Sequence, residues 1–153
     1  MELTQVFLSL GEARFAQILR SISMGKLKSY KVYEPLKTRA HLTRLNTESL
    51  RKAAPRLWTR LGQGEEEFAR DLAQAVLVSH LEMIAAVLDF LGIPHQDGFF
   101  DKNLDFGKFL TEDWNARVFD RFRETYPEAV LLFYINHLGW EAKRAAEPFV
   151  PAA

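Results

Sequence analysis

Cysteine is missing from all 153 residues of the chain. Its absence excludes disulfide bonds, zinc ribbons, iron–sulfur clusters and cysteine nucleophiles. It also fits a reducing compartment, so we expect a cytoplasmic protein.

The chain further lacks a glycine-rich phosphate loop, a Glu-x-x-His pair and a His-Glu-x-x-His motif. Because such patterns carry nucleotide and metal chemistry, we predict no cofactor and no metal site.

Long hydrophobic runs are also missing. The longest apolar stretch, residues 72–91, contains a glutamine, a histidine and two acidic residues. A carboxylate near the centre of a bilayer costs about 2.5–3.5 kcal/mol, so we expect no membrane-spanning segment. The first ten residues include Glu2 and no basic residue, which argues against a signal peptide.

Apolar residues are plentiful, at 48% of the chain, and twelve of them are phenylalanine. A chain of this length buries roughly 70% of the surface that its unfolded form exposes. Charged residues make up 26%, close to the average for globular proteins, so extensive disorder is not expected. We predict one helical domain over residues 1–146 and a flexible tail over residues 147–153, which contain two prolines.

Two helices are predicted to form the buried centre of an all-α bundle of five to seven helices. The first spans about residues 65–91, with three glutamates in its first turn, no internal glycine or proline, and Gly92 and Pro94 at its end. The second spans about residues 128–138 and stops at Gly139. Both are apolar around most of their circumference, which is typical of helices inside a bundle.

Shorter helices are predicted on either side of these two. Capping boxes at Ser9 and Thr125, and a capping residue at Thr111, mark where helices begin. Prolines break the segment between residues 23 and 62 into short pieces. The predicted ranges are 9–22, with a start as early as Thr4 as the alternative, 34–43, 47–53, 55–61 and 112–124.

Charge is unevenly spread, although the net charge is zero. Residues 23–62 hold ten basic and two acidic residues, a net charge of +8, whereas residues 63–153 carry −8. Interleaved aromatic residues make this basic segment a candidate nucleic-acid contact, since cations neutralise phosphates and aromatic rings stack on bases. The candidate residues are Lys26, Lys28, Lys31, Lys37, Arg39, Arg44, Arg51 and Lys52. The alternative is that the segment pairs internally with acidic residues such as those at 65–67.

Two histidines, His80 and His137, fall on the two apolar helices, and Tyr134 lies one turn from the second. If these helices pack together, the three side chains form a candidate ligand pocket, because a buried and oriented imidazole binds small ligands or metals well. The alternative is that each histidine is a structural core residue with an ordinary hydrogen bond.

Residues 101–112 carry acidic side chains at the spacing of an EF-hand calcium loop, but Phe106 stands where that loop needs glycine.

The sequence does not single out one biochemical function. Because the chain has material for a complete core and no assembled catalytic set, we predict a non-catalytic domain that works through a protein partner or as a homo-oligomer. Nucleic-acid binding through residues 23–62 is the first alternative. A small-ligand or metal site around His80 and His137 is the second.

Overall fold

The computed structural model describes residues 1–30, 32 and 47–151. These residues form eight α-helices and one 3₁₀ helix, and no strand occurs among them. The predicted all-α fold class is therefore confirmed, although the eight α-helices exceed the predicted five to seven. The α-helices are α1 (Leu3–Leu8), α2 (Glu12–Ser21), α3 (Met24–Ser29), α4 (Thr47–Gly62), α5 (Glu66–Val78), α6 (Leu81–Leu91), α7 (Trp114–Phe122) and α8 (Glu128–Glu141), and the 3₁₀ helix is Phe106–Lys108. The helix predicted over residues 34–43 lies outside the described residues.

The described chain divides into two compact units. The N-terminal unit covers residues 2–79 and holds α1 to α5, and the C-terminal unit covers residues 80–151 together with Met1 and holds α6 to α8. Within the described residues, no single helix is long and apolar enough to span a membrane, and α5 and α6 reach that length and composition only as a broken pair. That residues 1–146 form one domain stays a prediction.

The helix predicted over residues 65–91 is interrupted, so that part of the prediction is wrong. The chain leaves helical geometry at His80, where φ is −133° and ψ is 37°. Just before it, the Ser79 hydroxyl donates a hydrogen bond to the carbonyl oxygen of Ala75 at 2.8 Å. Side-chain bonds of this kind compete with the helical ladder and often bend helices. The predicted end is confirmed, because Gly92 adopts the left-handed conformation that closes α6.

Helix α4 runs through Pro55 without a break, where two helices over 47–53 and 55–61 were predicted. Proline costs one hydrogen bond inside a helix, but the apolar face continues on both sides of it. Ala54, Leu57 and Leu61 are buried in the N-terminal unit. Tertiary packing of an apolar face supplies most of the stability of a helix in a protein, and here it outweighs the local penalty.

Glu66, at the start of α5, caps a different helix. Its two carboxylate oxygens accept the backbone N–H groups of Leu3 at 3.1 Å and Thr4 at 2.9 Å, which begin α1. Burial by itself raises the pKa of Glu66, but hydrogen bonds from the Thr4 side chain and from both backbone groups outweigh it and lower the pKa. The carboxylate therefore stays ionised and satisfies N–H groups that have no partner inside α1.

Helix α8 is the buried centre of the C-terminal unit, as predicted. Every residue from Ala129 to Gly139 is buried. The helix continues to Glu141, however, and does not stop at Gly139. A Cβ atom at position 139 would lie 3.0 Å from Cβ of Ala145 and 3.5 Å from Cζ2 of Trp114. The glycine thus serves close packing against two neighbours and does not mark the end of the helix.

The predicted capping residues are not used. Helices α2, α7 and α8 begin after Gly11, Asp113 and Pro127, and none of these has a side-chain cap bond. The Ser9 hydroxyl instead donates to the carbonyl oxygen of Val6 at 2.8 Å, at the end of α1. A separate helix α1 was not predicted. Its last turn is bonded by Ser9, the residue that was predicted to cap the start of the next helix.

Asn136, on α8, holds the segment that follows the helix. Its Oδ1 accepts the backbone N–H of Phe149 at 2.5 Å, and its Nδ2 donates to the carbonyl oxygens of Phe149 at 3.2 Å and Leu132 at 3.0 Å. The Phe149 ring also packs against Phe119, with ring centroids 6.1 Å apart. Sequence reasoning expects a flexible tail over residues 147–153, and the structure gives that segment an anchor at Phe149.

Candidate functional site

The C-terminal unit contains an open cleft of about 1050 Å³. Four parts of the chain line it: Met1, the loop and 3₁₀ helix between Lys102 and Glu112, the start of α7, and the end of α8 with the residues that follow it. Ligand pockets in proteins commonly measure about 300–1,000 Å³. The cleft is therefore large enough for a whole small molecule.

Three cationic side chains and two carboxylates line the cleft, so its side chains carry a small positive excess. Lys102, Lys143 and Arg144 line it, and all three side chains are exposed. Within the described part of the chain, none of these cations forms an ion pair with a carboxylate. Gly107 makes room for the third cation, since a Cβ atom there would lie 3.1 Å from the Arg144 guanidinium.

Lys143 is held in an unfavourable backbone conformation. Its φ angle is +55°, in the left-handed region that favours glycine. The N–H of Lys143 donates to the Trp140 carbonyl and the N–H of Arg144 donates to the Gly139 carbonyl, so α8 ends in a Schellman motif. A side chain at the left-handed position of that motif costs roughly 1–2 kcal/mol. A strained residue that points to a cleft is a physical reason to look for function there.

Aromatic side chains provide the apolar part of the lining. Trp114 is buried at the start of α7, Trp140 is half-buried near the end of α8, and Leu110 is buried between the 3₁₀ helix and α7. The ring of Trp140 also contacts the imidazole of His137, with centroids 5.4 Å apart. Cations beside indole and aliphatic surface suit a ligand that is anionic at one end and apolar at the other.

Glu141 connects the cleft with the buried part of α8. It lines the cleft, and its Oε2 lies 3.7 Å from Nδ1 of His137, beyond hydrogen-bond distance. Burial raises the pKa of Glu141, and the charge of Lys102 offsets part of that effect. Burial, helped by Lys102, lowers the pKa of His137 to about 4. At neutral pH the imidazole of His137 is therefore uncharged.

Two buried polar atoms next to Glu141 have no hydrogen-bond partner within the described part of the chain. They are the hydroxyl oxygen of Tyr134 and Nδ1 of His137. Burial raises the pKa of Tyr134, and the negative charge of Glu141 raises it further, so the hydroxyl stays protonated. An unpaired buried group costs about 1–3 kcal/mol. Native proteins contain few such groups, and here two lie one turn apart on the same helix.

The structure brings together two of the three predicted pocket residues. Tyr134 and His137 share a face of α8, and Glu141, which sequence reasoning missed, extends that face to the cleft. His80 is half-buried at the start of α6, and burial lowers its pKa. Neither unpaired atom on α8 is hydrogen-bonded to it. The sequence signal for Glu141 is its position four residues after His137, on the same face of the helix.

The predicted nucleic-acid residues are only partly described. Lys26 is half-buried on α3 and Lys52 is exposed on α4. The residues Lys31, Lys37, Arg39 and Arg44, and the side chains of Lys28 and Arg51, lie outside the described residues. One further basic residue of the segment is paired internally, since Arg60 contacts Glu65 at 2.5 Å. Nucleic-acid binding through this segment stays a prediction.

The acidic loop between α6 and α7 directs its carboxylates to its own backbone. Asp101 accepts the N–H of Asn103 at 2.9 Å, and Asp105 accepts the N–H of Gly107 at 3.2 Å. In the described part of the chain, no three histidine or acidic side chains converge as metal ligands.

No family model matches the chain, and no curated protein or solved structure matches it either.

Proposed function

We propose that this protein binds a small organic anion in the cleft of its C-terminal unit. The observation that carries the proposal is the group of three unpaired cations, Lys102, Lys143 and Arg144, around a cleft with an apolar wall. Guanidinium and ammonium groups are the usual partners of carboxylate, sulfonate and phosphate groups. The absence of cysteine leads us to place this activity in the cytoplasm.

The two tryptophans support a ligand that also has a flat apolar part. Trp114 and Trp140 line the same cleft as the cations, and indole surface gains from contact with planar groups. An aromatic or unsaturated acid satisfies both kinds of lining. A simple inorganic anion satisfies only the cations, so we expect it to bind more weakly.

The cleft supports ligand binding better than the described surface supports a protein partner or a homo-oligomer. Among the described residues, Phe99 and Val150 are the only large apolar side chains with high exposure. Single exposed apolar residues are normal on soluble proteins, whereas interaction surfaces need contiguous patches. Protein interaction and self-association therefore stay predictions from the sequence.

The proposal is tested by calorimetric titration with benzenesulfonate, which is anionic and aromatic. We expect benzenesulfonate to bind at least about tenfold more tightly than benzenesulfonamide, its uncharged counterpart, since ten-fold corresponds to one good charged contact. Replacing Lys143 and Arg144 with glutamine is expected to remove this preference. The matched control replaces Arg121, in the last turn of α7, and Arg123, directly after that helix; both are exposed and neither lines the cleft. Equal affinity of both double variants, or no binding by the wild type, would contradict the proposal.

A second prediction separates function from folding at Lys143. The substitution Lys143→Gly is expected to raise the free energy of unfolding by about 0.5–1 kcal/mol, because glycine adopts the left-handed conformation without strain. The same substitution is expected to weaken benzenesulfonate binding. Urea denaturation and calorimetry measure the two effects.

Asp97→Gly is the matched control for that prediction. Asp97 also has a positive φ angle, +53°, and it does not line the cleft. It is expected to gain stability in the same way and to keep the affinity of the wild type. If Lys143→Gly were less stable than the wild type, strain at Lys143 would not be relieved by glycine, and this prediction would fail.

A further inference from the structure

Glu141 is one of the two carboxylates, with Glu112, that an anion in the cleft meets as a like charge. Its carboxylate shares the cleft with Lys102, Lys143 and Arg144. Two negative charges held within a few ångströms disfavour each other's ionised form. Either the ligand binds weakly, or the charge of Glu141 is removed when it binds.

His137 lies close enough to Glu141 to share the proton that removes this charge. Nδ1 of His137 lies 3.7 Å from Oε2 of Glu141 and has no hydrogen-bond partner in the described part of the chain. One proton placed on this pair changes its net charge from −1 to 0. The proton has two places to bind, namely the carboxylate, which becomes a neutral carboxyl, or Nδ1, which becomes part of an imidazolium paired with the carboxylate.

From this geometry we propose that the cleft binds its anion together with one proton, which is taken up by the Glu141–His137 pair. The inference rests on the proposed function, since it concerns the same site. It predicts that the affinity for an anion rises as the pH falls. Binding and proton uptake then favour each other, as linkage requires.

The other charged and titratable groups near Glu141 are compatible with this role. Tyr134, on the same helix, stays protonated, since burial and the charge of Glu141 both raise its pKa. Met1, Lys102, Lys143 and Arg144 also line the cleft. Burial raises the pKa of Glu141 despite the opposing charge of Lys102, which makes uptake of a proton by this carboxylate less costly. Glu112 is the second carboxylate in the lining, and it is exposed.

The experiment uses benzenesulfonate, which stays fully ionised over the pH range of the titrations, so that any proton exchange belongs to the protein. Titrations of the wild type in Bis-Tris and in imidazole, which have different ionisation enthalpies, are expected to give different observed heats that report proton uptake. The affinity is expected to increase about fivefold or more between pH 8 and pH 5.5. Binding heats that do not depend on the buffer would overturn the inference and leave the proposed function intact.

The variant Glu141→Gln provides an independent readout. It carries the neutral form of the side chain permanently, so we expect its affinity at pH 8 to match that of the wild type at pH 5.5, with no proton uptake. Glu112→Gln is the matched control, which removes the other carboxylate of the cleft and is expected to retain proton uptake. A Glu141→Gln variant with the pH dependence of the wild type would overturn the inference. Absence of benzenesulfonate binding by the wild type would overturn the proposed function and this inference together.

Discussion

Replacement of Phe133 by alanine is expected to lower the free energy of unfolding by about 3–5 kcal/mol, the usual cost of removing a buried phenylalanine ring. Phe133 lies in the middle of α8 and is 0% exposed. Its ring packs near the imidazole of His137, with centroids 5.7 Å apart. The part of α8 that carries this ring is buried on all sides. The side chains around the ring are therefore closely packed and have little freedom to fill the space that it leaves.

Urea denaturation followed by circular dichroism measures this loss. The matched control is Phe99→Ala, because Phe99 is 64% exposed, and we expect it to change stability by no more than about 0.5 kcal/mol. If residues 1–146 form one domain, unfolding gives a single transition: the fluorescence of the three tryptophans, one of which is Trp58 in the N-terminal unit, shifts together with the circular dichroism signal. A loss below about 1 kcal/mol in Phe133→Ala would contradict the packing described for α8.

The substitution Asn136→Asp is expected to destabilise the protein by about 3–5 kcal/mol at pH 7, the cost of an uncompensated buried charge. The two side chains have the same shape, and Asn136 is only 2% exposed. The amide Nδ2 donates to two carbonyl oxygens, those of Leu132 and Phe149. A carboxylate has no hydrogen to donate and would face both carbonyls with a negative charge.

This loss should depend on pH in a defined direction. Burial raises the pKa of the introduced carboxyl above its value in the unfolded chain, which is about 3.9. The penalty is therefore absent well below a pH of about 3.9, where the carboxyl is protonated in both states, and is still small at pH 4. It grows as the pH rises from the unfolded-state pKa toward the folded-state pKa, above which it levels off. Comparison with the wild type at pH 4 and pH 7 measures this difference. The control is Asn103→Asp, at an exposed position, and an equal loss in both variants at pH 7 would contradict the role given to Asn136.

The overall fold class was predictable because hydrophobic periodicity is a local property of the sequence. The run of apolar residues from Ala129 to Leu138 predicts a buried helix without any knowledge of its neighbours. The break at Ser79 and His80 was not predictable, since neither residue is a strong helix breaker. Gly139 misled the prediction, because glycine both ends helices and allows close contact. Only the positions of Ala145 and Trp114 distinguish the two uses.

The candidate site was predictable only in its buried half. Tyr134 and His137 stand out in the sequence because they are polar residues in an apolar helix. The cleft itself joins Lys102 to Lys143 and Arg144, which are about forty residues apart and belong to no motif. Their convergence depends on how the loop between α6 and α7 returns to the end of α8. The sequence does place two basic residues, Lys143 and Arg144, directly after a buried helix. Basic residues there ordinarily indicate only a favourable interaction with the negative end of the helix dipole.

The burial of residues 129–139 in α8 has a consequence for biosynthesis. Helix α7, which packs against α8, is synthesised first, so its apolar side chains lack this partner until residues 128–141 emerge. Their exposed surface during that interval is a binding site for chaperones and a source of aggregation. A chain truncated after residue 127 should therefore be held by chaperones, whereas the full chain should fold and be released. Co-purification of chaperones with the two chains would test this difference.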